Sequence, residues 1–367
     1  MRRALAQAVV LVLLAVACGW YQPKDELGTL LPASDPRFGW MGRVDTTDPA
    51  RPRFGYPGVT LRLAFEGPSI GVRVAAATPN VHVSVLVDGA PSRVVRLPPG
   101  ESDLGLAGGL GPGSHTVELV HRTETWQGTL AVLGVRLPPG GRLLEPPPFP
   151  KRKLLFIGDS VTCGSGTERA AACAKDGVAS SNGTASYGWL LGKALDAQSH
   201  LVCYGGRGLV RDWRGRRDVL TVPELFDLAV PDEPKGPPWD HSRYVPDAVV
   251  VSLGTNDFNL AIGPFPEKDE YVSAYVAFLR TIRARYPAAL VLVTEGAIVN
   301  DGEDGRRQKT TLAGYVAEAA RQVADPRIRA VPARHYPGDA CDAHPTAEQQ
   351  AAMARDLEPV LREALGW

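Results

Sequence analysis

At 367 residues the chain is long for one domain, and its 44% hydrophobic content supplies apolar surface for more than one core. Lys plus Arg equals Asp plus Glu at 40 each, so no net field marks the chain as a nucleic-acid binder, and a small, largely uncharged substrate fits better. Collagen-like and disordered classes are excluded by the same composition.

Residues 1–18 place Arg2 and Arg3 ahead of an apolar run from Val9 to Ala17, the layout of an export signal and too short for a membrane span. Ala15 and Ala17 just before Cys18 also suit a lipoprotein signal, in which the cysteine becomes the lipidated first residue. The expectation is an exported protein, either secreted or held at the cell envelope by membrane attachment through lipidated Cys18. Residues 19–37 are polar and Pro-containing and suit a tether.

From 38 to 140 the pattern becomes short alternating apolar segments. Val59–Phe65, Ile70–Ala76, Val81–Val87, Arg93–Leu97, His115–His121 and Leu130–Leu137 read as strands with period near two. Asp88 and Gly89 supply a hairpin turn, while Pro98, Pro99, Gly100 and the Gly108–Gly113 stretch interrupt the pattern. A β-sandwich is expected here. Residues 141–151, with the Pro-rich run Glu145–Pro150, read as a domain linker, because consecutive prolines favour extended chain over helix or central strand.

Beyond the linker, in 152–367, apolar strand candidates at Lys153–Ile157, Leu201–Tyr204, Ala248–Leu253, Leu290–Thr294 and Ile328–Val331 alternate with helices. Val272, Tyr275, Val276, Leu279 and Ile282 share one face of a helix predicted over Asp269–Tyr286, and further helices are expected over Tyr187–Leu195, Arg306–Val323 and Thr346–Leu365. Such alternation predicts a parallel sheet covered by helices on both faces.

In that fold ligands sit at the carboxyl ends of the strands. There the chain carries Gly158-Asp159-Ser160-Val161-Thr162-Cys163-Gly164, then Gly205-Gly206-Arg207-Gly208, then Gly254-Thr255-Asn256-Asp257, and finally Asp342-Ala343-His344-Pro345. Alone, Ser160 would read as a helix cap and Gly205–Gly208 as a tight turn. Together they are the parts of an acyl-transfer site: Ser160 as nucleophile, His344 as its base, and the Ser160 N–H, the Gly206 N–H and the Asn256 amide as an oxyanion hole. Gly206 is expected to be glycine because a side chain would block close approach of backbone to ligand.

This constellation resembles the SGNH, or GDSL, hydrolase superfamily, whose blocks contribute Ser, Gly, Asn and His in this order. The strings GDSVTCG, GGRGLVRDW, GTNDF and CDAHP look more specifically like family-2 carbohydrate (acetyl xylan) esterases. The resemblance implies an α/β fold in which an N-terminal jelly-roll-like β-sandwich precedes an SGNH-type three-layer α/β/α domain. It also implies removal of acetyl groups from xylan, glucomannan or related glycans, with no cofactor and no metal. One departure stands out. Many SGNH enzymes place the triad acid three residues before the histidine, where this chain has Cys341; Asp342, two residues before His344, is the alternative. If that segment is extended, residues two apart face the same side, which permits an Asp342–His344 pair; a backbone carbonyl could instead orient the imidazole.

Trp213, following the GGRGL segment, is a candidate for stacking on a sugar ring, whereas Trp189 on a predicted helix reads as core. Asp159 and Asp257 read as braces for their loops, and the histidines other than His344 as structural. Cys163, Cys173, Cys203 and Cys341 allow three disulfide pairings, of which Cys163–Cys173 is first by proximity, with free buried thiols as the alternative. Competing readings of the whole chain are a peptidoglycan O-acetyl esterase or a lipase on the same scaffold and, from another class, a non-catalytic carbohydrate-binding envelope protein.

Overall fold

The computed structural model describes residues 28–168, 180–231, 236, 238–302 and 305–367. The expected export signal, Cys18 and residues 19–27 of the expected tether lie outside the described residues.

The first unit is built from β1 (Leu31–Pro32), β2 (Gly39–Met41), β3 (Arg53–Phe54), β4 (Thr60–Glu66), β5 (Ile70–Ala76), β6 (His82–Val87), β7 (Ala90–Arg96), β8 (Gly100–Ala107), β9 (Ser114–His121), β10 (Leu130–Arg136) and β11 (Arg142–Leu144). These form two antiparallel sheets. One runs β1-β10-β5-β8 with β3 on β10; the other runs β11-β4-β9-β6-β7 with β2 on β4. Leu61, Leu63, Val72, Val74, Val83, Val85, Val117, Leu119 and Val132 fill the space between them, as period-two alternation requires. Asp88 and Gly89 both hold positive φ, 49° and 78°, as the tight β6–β7 hairpin demands.

Five strands of this unit, β1, β2, β3, β8 and β11, lie outside the predicted segments, β2 and β3 being only three and two residues long. Among the described residues β8 pairs only with β5; Glu101 and Asp103 lie on its solvent face and meet Arg73 at 3.2 and 3.4 Å, while the other face begins with Gly100 and Ser102, so only Leu104 and Leu106 are left to mark a period. β1 falls in the expected tether and β11 in the expected linker. Each is a two- or three-residue strand paired to one neighbour, too short to show a period. The prolines that follow β11 are pinned by Arg62, which donates to the Pro147 and Pro148 carbonyls and lies 4.0 Å over the Phe149 ring.

The second unit contains β12 (Arg152–Gly158), α1 (Ser160–Cys163), α2 (Tyr187–Ala194), β13 (Ala197–Cys203), α3 (Val222–Leu225), β14 (Ala248–Ser252), α4 (Lys268–Arg285), β15 (Leu290–Thr294), α5 (Gln308–Val323), β16 (Ile328–Ala330) and α6 (Ala347–Leu365). The five strands are parallel in the order β13-β12-β14-β15-β16. Leu154, Phe156, Val250 and Leu292 meet Tyr187, Leu191, Met353 and Leu361 on one face. Leu155, Ile157, Val249, Val251, Val291 and Val293 meet Tyr271, Tyr275, Leu279, Leu312 and Val316 on the other. Helices therefore cover both faces, a three-layer α/β/α arrangement. α4 also follows its dipole, with Asp269 and Glu270 in the first turn and Arg283 and Arg285 in the last.

The two units share one apolar core. Arg43 of the sandwich is buried within an aromatic enclosure of Tyr56, Phe226 and Trp239, and it donates to the Phe226 and Leu228 carbonyls at 2.5 and 3.0 Å. Tyr56 Oη donates to the Leu225 carbonyl at 2.8 Å, and the Gly42 N–H donates to His200 Nε2 at 2.9 Å. Trp189 is half-buried rather than core, its ring lying where a Cβ on Gly58 would stand 3.2 Å away, so it belongs to this interface. Phe226 is fully buried at its centre. Phe226→Ala is expected to cost about 3–5 kcal/mol in chemical denaturation; a loss below about 1 kcal/mol would contradict an interface that carries the stability of both units.

Candidate active site

The chain leaves β12 for β13 on one side and returns past it to β14 on the other, so the carboxyl ends of β12 and β14 flank a topological switch point, where open α/β sheets leave a crevice. Ser160 follows β12 directly as the first residue of α1. Asp159 caps that turn by accepting the Val161 N–H at 3.0 Å. Cys163, one turn on, is joined to Cys203 at the end of β13. This corrects the expected Cys163–Cys173 pair: adjacent parallel strands bring Cys163 and Cys203 to a Cα separation of 5.6 Å across 40 residues of sequence. Cys341 is also in a disulfide.

Ser160 Oγ lies 2.8 Å from His344 Nε2, and His344 Nδ1 lies 2.8 Å from Asp342 Oδ1. An ionised carboxylate only accepts, so Nδ1–H donates to Asp342 and Nε2 is left to accept the Ser160 O–H. The segment holding Asp342 is not the extended chain that alternation assumed. Asp339 Oδ1 accepts the Cys341 and Asp342 N–H groups, and Asp342 Oδ1 accepts the His344 N–H at 3.1 Å as well as its ring. A side-chain-to-backbone turn, rather than strand geometry, puts residues two apart in contact.

Two loops complete the edge. Asp257 accepts the backbone N–H groups of Leu209, Val210 and Arg211 at 2.8, 2.8 and 3.1 Å, which ties the glycine-rich loop to the loop after β14. Asn256 Nδ2 donates to the Arg207 carbonyl at 2.8 Å, leaving the amide's second N–H for another acceptor. Among the described residues neither the Ser160 nor the Gly206 N–H donates to a protein acceptor. Gly206 holds φ +78°, and a Cβ there would stand 2.6 Å from Trp213 Cδ1, so the indole and the backbone twist, more than ligand approach alone, require glycine. Together these groups can deprotonate a hydroxyl and stabilise an oxyanion.

The groups open onto a cleft of about 900 Å³ that is also lined by Arg207, Asn259, Gln308 and His335. Trp213 stands on its rim, 48% exposed, and so does Trp126, 47% exposed. Trp126 and the buried Glu124 come from the sandwich, and sequence reasoning missed both. The one signal was the break in alternation between His121 and Leu130. His335, expected to be structural, lines the cleft instead. By contrast His121, His200 and His241 are buried among partners: His121 faces the Tyr56 carbonyl at 3.0 Å, and His241 meets Tyr286 Oη and Asp227 at 2.7 Å each. Desolvation pushes His121 down to about 4.

Electrostatics favour a charged imidazole. Burial opposes the imidazolium of His344, but the hydrogen bond and charge of Asp342, with Glu124 and Asp159 behind them, raise its pKa above the ordinary 6.5. Burial pushes Asp159 up to about 6 against the Val161 N–H, and it pushes Glu124 up to about 7 against the pull of His344.

Residues 40–147 match the family model described as carbohydrate esterase 2 N-terminal, and residues 156–355 match the GDSL-like lipase/acylhydrolase family. An acetylxylan esterase/glucomannan deacetylase of Cellvibrio japonicus (strain Ueda107) is 38% identical over 335 residues, 91% of each chain. A solved family two carbohydrate esterase from Cellvibrio japonicus superposes with a TM-score of 0.86 at 37% identity, covering 92% of this chain and 98% of that one. Another from Clostridium thermocellum, in complex with cellohexaose, gives 0.82 at 28% identity over 90% and 99%.

Asp342→Asn keeps the shape of the side chain and removes its charge. It is expected to lower kcat on a small acetate ester by about 10²- to 10⁴-fold. The acid limb of kcat/KM should lie above pH 6.5 in the parent, where loss of activity follows protonation of a raised His344, and move to lower pH in the variant. A change under about threefold with an unmoved limb would assign the orienting acceptor elsewhere.

Proposed function

Because the chain belongs to the GDSL-like acylhydrolases and, within them, to the family 2 carbohydrate esterases, we infer that it is a carboxylic ester hydrolase that removes acetyl groups from carbohydrate. Acetylated xylan, glucomannan or a related glycan is the substrate class proposed, in line with a relative that is an acetylxylan esterase/glucomannan deacetylase. The observation that carries this reading is the unbroken hydrogen-bonded line from Asp342 through His344 to Ser160 at a cleft whose rim exposes two tryptophans. Exposed indoles offer flat faces to sugar rings.

In the proposed reaction Ser160 Oγ attacks the acetyl carbonyl carbon while His344 Nε2 takes its proton. The oxyanion is met by the Ser160 and Gly206 N–H groups and the free N–H of Asn256. Collapse expels the sugar oxygen, which takes the proton from His344, and leaves acetyl-Ser160. Water then attacks that ester with His344 again as base, releasing acetate and restoring Ser160. Asp342 holds the imidazole in the required tautomer. The scheme calls on no metal and no cofactor. Trp213 and Trp126 are proposed as sugar platforms, and the reading extends to export of the chain, either secreted or anchored through a lipidated Cys18.

The polar lining of the cleft, with Arg207, Asn259, Asn300 and Gln308, suits sugar hydroxyls better than a long acyl chain. Acetate release from acetylated xylan, glucomannan and O-acetylated peptidoglycan is the test. Release from the plant glycans is expected, with small acetate esters preferred over octanoate esters. Release from peptidoglycan alone, or faster octanoate hydrolysis, would move the assignment to the envelope esterases or the lipases. Ser160→Ala should fold normally and lose turnover; unchanged acetate release would end the serine mechanism.

A further inference from the structure

Glu124 sits where the sandwich reaches into the catalytic cleft. It precedes the single helical turn Thr125–Gln127, and that turn is fixed at both ends. The Glu124 N–H donates to Gln127 Oε1 at 2.8 Å, and Thr125 Oγ1 donates to the carbonyl of Cys203 at 2.8 Å. Cys203 is in turn bonded to Cys163 of the nucleophile's helix. The carboxyl is therefore held on a rigid support tied to Ser160.

The side chain is 3% exposed, yet it lines the same cleft as Ser160. Among the described residues its Oε2 has no donor in full hydrogen-bond geometry, although the Trp126 indole N–H and the Gly205 N–H lie beside the carboxyl and the Gln127 N–H faces it in a capping box. It is pressed onto Gly205, where a Cβ would stand 2.1 Å from Oε2, so the neighbour of the oxyanion-hole glycine must itself be glycine for the carboxyl to occupy this place. A buried carboxyl with one oxygen left short of a well-aligned donor is costly. Burial raises its pKa to about 7, while the charge of His344 and the nearby Trp126 indole and Gly205 N–H pull it back. Nothing in the proposed acyl transfer uses it. Two residues on, Trp126 presents its indole at the rim of the cleft, 47% exposed.

We propose that Glu124 is a specificity residue that binds a free hydroxyl of the acetylated sugar ring, so that the sandwich supplies sugar recognition to a site whose ester chemistry belongs to the α/β unit. A carboxyl packed one residue from Gly206 faces the part of the substrate next to the ester, and a ring hydroxyl placed there supplies the missing hydrogen bond. Trp126, on the same turn, would cover the ring's apolar face. This inference rests on the carbohydrate reading given above.

The test compares the parent, Glu124→Gln and Glu124→Ala on an acetylated methyl glycoside and on the set of its monodeoxy analogues, each lacking one ring hydroxyl. The parent is expected to lose about 10- to 100-fold in kcat/KM at one deoxy position, the loss of a hydrogen bond to a charged group. Both variants should lose a similar factor on the full sugar and show a deoxy ratio near one at that same position. If Glu124→Ala does not fold, the isosteric Glu124→Gln carries the comparison. Parent-like discrimination in Glu124→Gln would overturn the proposal, and so would an equal loss of kcat/KM on the glycoside and on 4-nitrophenyl acetate, which has no ring hydroxyl. In both cases deacetylation of the glycoside by the parent would leave the carbohydrate reading standing. A parent that cleaves 4-nitrophenyl acetate but no acetylated sugar would sink the carbohydrate reading and this inference with it.

Discussion

The buried carboxylate of Asp257 is the constraint on which the catalytic edge depends. Three consecutive backbone N–H groups, from Leu209 to Arg211, converge on its two oxygens. With the Asn256 Nδ2 bond to the Arg207 carbonyl, they fix the glycine-rich loop against the loop that carries Asn256. The Arg211 guanidinium returns a hydrogen bond to the Asp257 carbonyl at 2.8 Å, so the two loops are tied in both directions. The interior position raises the Asp257 pKa, and the three donors lower it, which makes the pairing one that tolerates no missing member. Gly206 and Asn256 line the same cleft, and Ser160 joins them there from the neighbouring strand end under its own Asp159 cap.

Much of this was legible in the sequence. Strand ends in a parallel sheet are where ligands bind, so the blocks at Ser160, Gly206, Asn256 and His344 could be placed before any geometry was known. Four helices and five parallel strands appear where the pattern put them, most within two residues and β13 four residues earlier at its start, because amphipathic helices define a phase and buried parallel strands read as continuous apolar runs. Asp342 was legible for an imperfect reason. The spacing was right, but a turn closed by side-chain hydrogen bonds, rather than an extended strand, brings it to His344.

Other features were not legible, and the physical causes differ. β8 has Gly100 and Ser102 at the start of its alternate face and so offers too few apolar residues to define a period. The Cys163–Cys203 bridge follows from the adjacency of β12 and β13, which sequence proximity cannot express. Glu124 and Trp126 belong to a different unit from Ser160, and only the docking of Arg43, Tyr56 and Thr125 against the α/β unit brings them to the cleft. A motif read along one domain cannot contain a residue that another domain lends to it.

The two units thus meet at the cleft: the parallel strands carry Ser160 and the loops beside it, and Glu124 and Trp126 of the sandwich line one wall. The central claim is that Ser160 is the nucleophile of this cleft, and covalent labelling tests it most directly. A small alkyl fluorophosphonate, followed by peptide mass mapping, is predicted to modify Ser160 in step with loss of esterase activity, and acetylated glucomannan should slow both. Full activity after Ser160 is labelled, or inactivation with Ser160 unmodified, would contradict the account.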